Sequence, residues 1–453
     1  PYKPKHFLPI STKGIKENDF TMVMGYPGRT QEYLPSFAVE QIIDDLNPAK
    51  IEIREAALKV QDGFMRKDQA IKIQYASKYA SVANYWKKWI GESKGLKKSN
   101  AVGIKQKFET DFNNRLAKAG KQAEYGNLLS EFEKNYTEIK DYAVARDYFS
   151  EIVLRNTELL SFGFKLYQLE QVYTSKGEQS FNDRKNNLIS SFEDSYKNFN
   201  TQVDEKVFEQ LIQLYSTKSP KQFLPSSLKN INATVLAKEI YSTSRLTSYD
   251  KLKDLLNGDA KTVIEKLNKD KGFQLVKSLA DAYFEKIAPT YNEIDLKNSA
   301  LQRTYMKAIV ELFPNDRIFP DANSTLRVTY GQVKGYAPQD AVYYEPLTYL
   351  EGVMEKYVPN DYEFDVPQKL IDLYNKKDYG DYAQDGKLPV NFIATNHTTG
   401  GNSGSPAIDA KGNLIGLNFD RVWEGTMSDI YYSPDICRNI MVDIRYVLFI
   451  IDK

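Results

Sequence analysis

Apolar residues recur at helical spacing through most of the chain and cluster at strand-like spacing only towards its two ends. Residues 19–30 (DFTMVMGYPGRT) form an apolar, β-rich run closed by Gly-Tyr-Pro-Gly, the pattern of a strand running into a turn. From Pro35 to Phe313 the spacing is three and four. Asn47-Pro48 reads as a helix N-cap with proline at the first helical position, opening an amphipathic stretch over 49–65. Further helices are predicted over 71–90, over 131–173 with breaks, and over 182–199 and 275–287. Tyr and Phe recur along them at the interval of packed helix cores, without the fixed period of a repeat array. After Phe313-Pro314 the strand signals return, with a hairpin over 326–334 turning at Gly331 and strands over 388–395, 405–409, 414–419 and 440–450. This order predicts a β domain interrupted by a helical insertion, with boundaries at 1–34, 35–313 and 314–453.

Length and composition narrow the classes. The chain has 453 residues, 42% hydrophobic and 27% charged, the balance of a globular protein with room for roughly three domains at about 150 residues each. Sixty-one Lys and Arg against 60 Asp and Glu leave a net charge of +1, which removes any global electrostatic case for nucleic acid or an anionic membrane. Lys87, Lys88, Lys94, Lys97 and Lys98 beside Trp86 and Trp89 read as a solvated helix end, not a nucleic-acid patch. No apolar run reaches the about 18 residues of a membrane helix. A single cysteine, Cys437, excludes an intrachain disulfide, and no Cys/His cluster, P-loop, GxGxxG or HExxH supports a zinc or nucleotide cofactor, so none is expected. Pro1 without a preceding Met, and an end just after the apolar run 446–451, read as cut edges of a longer protein.

Chemistry concentrates in Thr399-Gly-Gly-Asn-Ser-Gly-Ser-Pro406. Between strands, Gly401-Asn402-Ser403-Gly404 can form a tight turn that exposes one hydroxyl. The amides of Gly401 and Ser403 can then converge beside that hydroxyl, which is what acyl transfer requires when a tetrahedral oxyanion develops. The plain alternative is a Gly/Ser hairpin loop. Only two histidines are present, His6 and His397. His397 precedes Ser403 by six residues, an improbable position for its general base, so it is assigned a structural or pocket-wall role. Arg421 closes the strand that follows the nucleophile turn; its guanidinium can hold a carboxylate bidentately, or pair with a neighbouring acid such as Asp420. On the helix 71–90, Ile71, Tyr75, Tyr79, Val82, Trp86 and Trp89 share one face, and Asn84 lies on the other with Ile73, Ser77 and Ala80.

GNSGSP together with VMGYPG (23–28) resembles the bacterial chymotrypsin-fold serine peptidases, although about 375 positions separate the two motifs here. A helical insertion of that size, Asn84-Tyr-Trp-Lys87, and PDANSTLRVTYG (320–331) are similar to features of the dipeptidyl-peptidase family with that fold, and in particular to its Asp/Glu-specific members. The resemblance implies an α+β multidomain protein. A chymotrypsin-like double β-barrel would be interrupted by a large all-α insertion, with residues 1–34 ending the first barrel, 35–313 forming a helical cap and 314–453 forming the second barrel. It implies a Ser-His-Asp triad in which Ser403 is the nucleophile and Gly401 contributes to the oxyanion hole, the His and Asp lying outside these residues, so that this chain alone is inactive. It further implies that Arg421 reads the acidic side chain before the cleaved bond, with Phe419 on the pocket wall, and that Asn84 and Asp420 grip the substrate's free amine. Peptides with a free N-terminus, a homodimer, and a place in the periplasm or at the surface of a Gram-negative bacterium complete the expectation. Two other readings stay open: an acidic-specific (glutamyl) endopeptidase, and a non-catalytic helical scaffold with a vestigial peptidase domain.

Overall fold

A computed structural model describes residues 3–361 and 363–453, and mixes helix and sheet in two units. One unit comprises the residues up to Leu34, Gly91–Ile104 and Asn315–Lys453; the other comprises Pro35–Ile90 and Lys105–Pro314.

The first unit is organised by strands β1 (Phe20–Gly25), β2 (Arg327–Gln332), β3 (Tyr336–Gln339), β4 (Val342–Tyr344), β5 (Leu347–Tyr349), β6 (Pro389–Ala394), β7 (Pro406–Ile408), β8 (Leu414–Arg421) and β9 (Asn439–Asp443). Seven of them make an antiparallel sheet in the order β2-β1-β7-β8-β9-β6-β5, while β3 and β4 pair separately. Alternate residues face a common interior, where Val23, Phe392, Ala394, Ala407, Ile415 and Met441 pack. The sheet curls back on itself: Val333, just past β2, bridges Ala394 of β6, and the Lys334 amide donates to the Ile393 carbonyl.

Three sequence expectations change in this unit. Residues 1–34 were read as ending a separate preceding barrel, but β1 hydrogen-bonds to β2 and β7 and lies inside the sheet that carries the nucleophile turn. No hairpin forms over 326–334; β2 is one strand paired with β1 along its whole length, Gly331 included. That glycine serves close approach instead of a turn, because a β-carbon there would stand 2.6 Å from Thr395 Oγ1 and 2.9 Å from the Asn396 amide. The run 440–450 divides into β9 and the helix Ile444–Asp452, since the Asp443 side chain caps the Arg445 amide and starts a helix where apolar periodicity alone permits a strand.

In the helical unit, Ile53, Phe149, Leu160, Leu166, Phe192, Phe208 and Phe273 belong to one large apolar cluster. Asn47 does not cap a helix. The chain is already helical from Ser36, and a π turn over Ile42–Leu46 leads directly into Asn47–Met65, with the Asn47 amide donating to the Ile42 carbonyl. A second π turn, Tyr283–Ile287, leads likewise into Ala288–Leu312, whose second residue is Pro289. Widening one turn gives room to a proline that lacks an N–H and would otherwise clash with the preceding turn.

The helical region 35–313 is also not one unit. The helix Gln69–Lys98 passes from the helical unit into the sheet unit between Ile90 and Gly91. A β-carbon on Gly91 would stand 2.9 Å from the Trp423 carbonyl, and one on Gly95 would stand 2.9 Å from the Glu424 carbonyl. Two glycines one turn apart thus give this helix end a smooth face against the segment Trp423–Asp429.

The buried Arg54–Glu151 pair organises the helical core. Arg54 Nε and Nη2 donate to the two Glu151 oxygens at 2.7 and 3.3 Å, Nη1 donates to the Val82 carbonyl, and both side chains are only 6% exposed. Arg54→Ala should lower unfolding stability by about 3–5 kcal/mol, because it strands a buried carboxylate, whereas the double replacement Arg54→Met, Glu151→Met should cost far less. Chemical denaturation of the three proteins checks this; equal losses for single and double variants would show that shape, not charge, carries the site.

Candidate active site

Ser403 sits on a turn between Thr399 and Ser405 that three buried asparagines hold from inside. The Asn402 amide donates to the Thr399 carbonyl at 3.0 Å, and the Asn402 side chain accepts from the Thr399 amide at 3.1 Å. Asn418 of β8 then binds the turn from its far side. Its carbonyl accepts from Gly404 at 2.7 Å, its amide donates to the Ser405 carbonyl at 2.9 Å, and its side chain donates to the Asn402 carbonyl at 3.1 Å. Asn439 of β9 completes the ladder by donating to Asn418 Oδ1 at 2.8 Å. Asn402, Asn418 and Asn439 are all buried, so each bond satisfies a group that would be costly to leave alone.

The turn is also pinned by the glycine motif near the start of the chain. The Gly28 amide donates to the Gly400 carbonyl at 2.6 Å. Neither segment has room for a side chain at the contact. A β-carbon on Gly25 would stand 2.0 Å from Ser405 Oγ, and one on Gly401 would stand 2.4 Å from the Tyr26 carbonyl. Gly401 (φ 104°) and Gly404 (φ 81°) also adopt backbone angles that favour glycine. Ser403 is left exposed at the apex, and its hydroxyl donates to the Phe419 carbonyl at 3.3 Å.

That contact brings the nucleophile candidate to the end of β8. The register of β8 against β9 slips between Asn418 and Asp420, so Phe419 occupies a bulge, a device that re-aims neighbouring side chains. Phe419 and Asp420 are exposed, and the Asp420 carboxylate accepts the Arg421 backbone amide at 2.8 Å. The side chain of Arg421 pairs elsewhere: Nη1 and Nη2 reach the two oxygens of Asp429 at 2.5 and 3.4 Å, and Nη1 donates to Ser428 Oγ at 2.9 Å. Arg421 and Asp429 are each 13% exposed, a pair largely withdrawn from solvent.

His397 makes its contacts with Ser428 and Glu32, not with Ser403. Its Nε2–H donates to the Ser428 carbonyl at 2.9 Å and its Nδ1 lies 3.1 Å from Glu32 Oε1. Burial pulls the imidazole below its ordinary value, against the Ser428 carbonyl and the Asp429 carboxylate, which favour the protonated form. With both nitrogens engaged, His397 is not arranged as a base for Ser403. His6 is exposed beside Phe7.

Thus Gly401, Ser403, Phe419, Asp420 and Arg421 lie on connected parts of one unit. Asn84 belongs to the helical unit, exposed on the helix Gln69–Lys98, with Ile71, Tyr75 and Val82 buried on the opposite side. Sequence reasoning missed Glu32, Ser428, Asp429, and Asp321, which accepts from Thr30 Oγ1 and the Glu32 amide at 2.6 and 2.9 Å. Asp321 lies within the segment PDANSTLRVTYG, but nothing in that segment names Thr30 or Glu32 as its partners.

The sequence profile of the peptidase S46 family matches residues 1–453, and the chain belongs to that family. It is 72% identical over 453 residues to the Asp/Glu-specific dipeptidyl-peptidase of Flavobacterium psychrophilum, a match covering 100% of this chain and 64% of that protein. To dipeptidyl-peptidase 7 of Porphyromonas gingivalis it is 36% identical over 462 residues, covering 100% of this chain and 63% of that protein. The crystal structure of Porphyromonas endodontalis DPP11 in complex with the dipeptide Arg-Glu superposes with a TM-score of 0.86 at 32% identity, over 100% of this chain and 65% of that one. The chain therefore spans a little under two thirds of the length of these relatives.

The double constraint on Gly401, a left-handed φ and a backbone neighbour, predicts that Gly401→Ala destabilises the sheet unit by about 1–3 kcal/mol. Gly404→Ala, where a β-carbon meets no atom within 4 Å, should cost less. Denaturant midpoints of the two variants check the order, and a reversed order would mean that the Tyr26 contact yields freely.

Proposed function

We propose that the whole protein is a serine dipeptidyl-peptidase that removes N-terminal dipeptides ending in Asp or Glu. The observation that carries this reading is an exposed Ser403 on a glycine turn, hydrogen-bonded to the strand end that leads two residues later to a clamped, largely buried Arg421. The names of the relatives and the dipeptide complex of DPP11 support the same substrate class. In this reading the curled sheet is the second barrel of a chymotrypsin-like double barrel, and the helical unit is an insertion into that peptidase.

Ser403 Oγ attacks the carbonyl of the second substrate residue, and the amides of Gly401 and Ser403 stabilise the resulting oxyanion. By the family resemblance the triad His and Asp come from the portion of the protein outside these 453 residues, and His397 is turned to Ser428 and Glu32. Arg421 receives the acidic side chain and Phe419 walls the pocket. Asp420, and Asn84 by family resemblance, hold the substrate's ammonium group. A homodimer located in the periplasm or at the cell surface belongs to the same proposal on the strength of the resemblance; light scattering and cell fractionation test those two points.

Ser403→Ala in the full-length protein should abolish hydrolysis of a Glu-ending dipeptidyl substrate, and an N-acetylated substrate should resist the wild type. Rapid cleavage of the acetylated peptide would favour a glutamyl endopeptidase, and no cleavage of either a non-catalytic scaffold. Arg421→Gly should cut the specificity constant for Glu-ending substrates by roughly 10²-fold or more, from about 3–5 kcal/mol for an unpaired, desolvated carboxylate. Leu-ending substrates should lose little, so the ratio of the two constants is the measurement, and it is insensitive to the folded fraction. Asp420→Ala and Asn84→Ala should each weaken turnover of free-amine dipeptidyl substrates by about 1.5–3 kcal/mol while leaving that ratio unchanged. Wild-type kinetics in either variant would mean that the amine is held elsewhere.

A further inference from the structure

Arg421 is oriented by residues that lie on neither its own strand nor the nucleophile turn. Of the five N–H donors of a guanidinium, both on Nη1 and one on Nη2 bind Ser428 and Asp429, which fixes the plane of the group and leaves Nε–H and one Nη2–H for a second carboxylate. The two residues that do this are consecutive, and both of their carbonyls are tied down. The Gln31 amide donates to the Asp429 carbonyl at 2.6 Å, and His397 Nε2 donates to the Ser428 carbonyl at 2.9 Å. Behind His397, Glu32 stands at Nδ1, the Tyr432 ring lies 4.8 Å away, and the Phe319 ring meets the imidazole edge-on. The Glu32 backbone is itself set by the hydrogen bond that its N–H donates to Asp321 Oδ1.

We propose that His397 is a positioning residue for acidic specificity. By holding the Ser428 carbonyl it keeps Ser428 and Asp429 against the Arg421 guanidinium, while its ring is packed by Tyr432 and Phe319. This rests on the proposed role of Arg421 as the acid-reading side chain. Ser403 makes none of these bonds, so loosening the clamp should spoil recognition of the substrate carboxylate and spare the acyl-transfer step.

The test uses the full-length protein as wild type, His397→Leu, His397→Gln and Glu32→Gln. For each, kcat and KM are measured on a Glu-ending and a Leu-ending dipeptidyl substrate, together with the rate at which a small uncharged phosphonate modifies Ser403. In His397→Leu the KM for the Glu-ending substrate should rise about tenfold, with changes under about twofold for the Leu-ending substrate and the phosphonate. His397→Gln, whose amide can still donate to the Ser428 carbonyl, should recover most of the loss, and Glu32→Gln, which leaves that bond in place, should stay near wild type. Equal losses on both substrates, or no rescue by Gln, would reduce His397 to a packing residue and overturn the inference. A high wild-type preference for Glu that survives His397→Leu would overturn the inference alone. A wild-type preference near one would count first against the acid-reading role of Arg421 and take this inference with it.

Discussion

The candidate site depends on two segments far apart in sequence that meet through glycines on each side. Gly28 donates to Gly400, Gly25 lies under Ser405, and Gly401 lies against Tyr26. A methyl group at Gly25 or Gly401 would force the segments apart, and the turn that lifts Ser403 would lose one of its two walls. The pairing of β1 with β7 extends the contact, so the nucleophile turn is held by sheet hydrogen bonds as well as by its own asparagines. The same contact explains how the long helical region is accommodated. Just past β1 the Ser324 amide donates to the Pro27 carbonyl and Thr30 bonds Asp321, so the chain leaves and re-enters this unit at neighbouring points. Loop-closure cost grows only slowly with length, which makes an insertion between such points inexpensive.

Buried arginines in the sheet unit have donors taken up within the protein, Arg421 and Arg445 by carboxylates and Arg438 by backbone carbonyls. Arg421 is held by Asp429, and Arg445 by Asp443 with both side chains almost fully buried. A buried charge without a partner would be strongly destabilising, and a long arginine side chain without one would sample many rotamers. A pre-paired guanidinium avoids both, and under the proposed function it would meet a substrate carboxylate with an acid already beside it. Under that reading, discrimination would rest on the placement of the remaining donors more than on net charge.

Helical spacing made the large helical region legible, because a 3.6-residue period leaves its trace in the apolar positions whatever the tertiary partners are. The buried stripe Ile71, Tyr75 and Val82, with Ile73 exposed, follows that spacing. Local misreadings occurred where one pattern serves two conformations. Asn47-Pro48 has the chemistry of a helix start, yet a π turn carries the helix straight through it. The run 440–450 is apolar enough for a strand, and a single capping bond from Asp443 converts most of it to helix. Gly331 looks like a turn, and is instead the place where β2 passes close to Thr395.

By itself the sequence determined the helical character of the insertion, the glycine turn that exposes Ser403, and an arginine at the end of the next strand, because these are properties of short segments and of backbone angles that few residues adopt. Only the tertiary structure decided that β1 shares a sheet with the nucleophile turn, that Gly91–Ile104 leaves the helical unit, and that Arg421 pairs with Asp429 instead of Asp420. It alone brought Glu32 to His397 and His397 to Ser428. The physical reason is that hydrogen-bond and ion-pair partners are chosen by distance in space. Residues separated by hundreds of positions carry no local pattern that records their meeting.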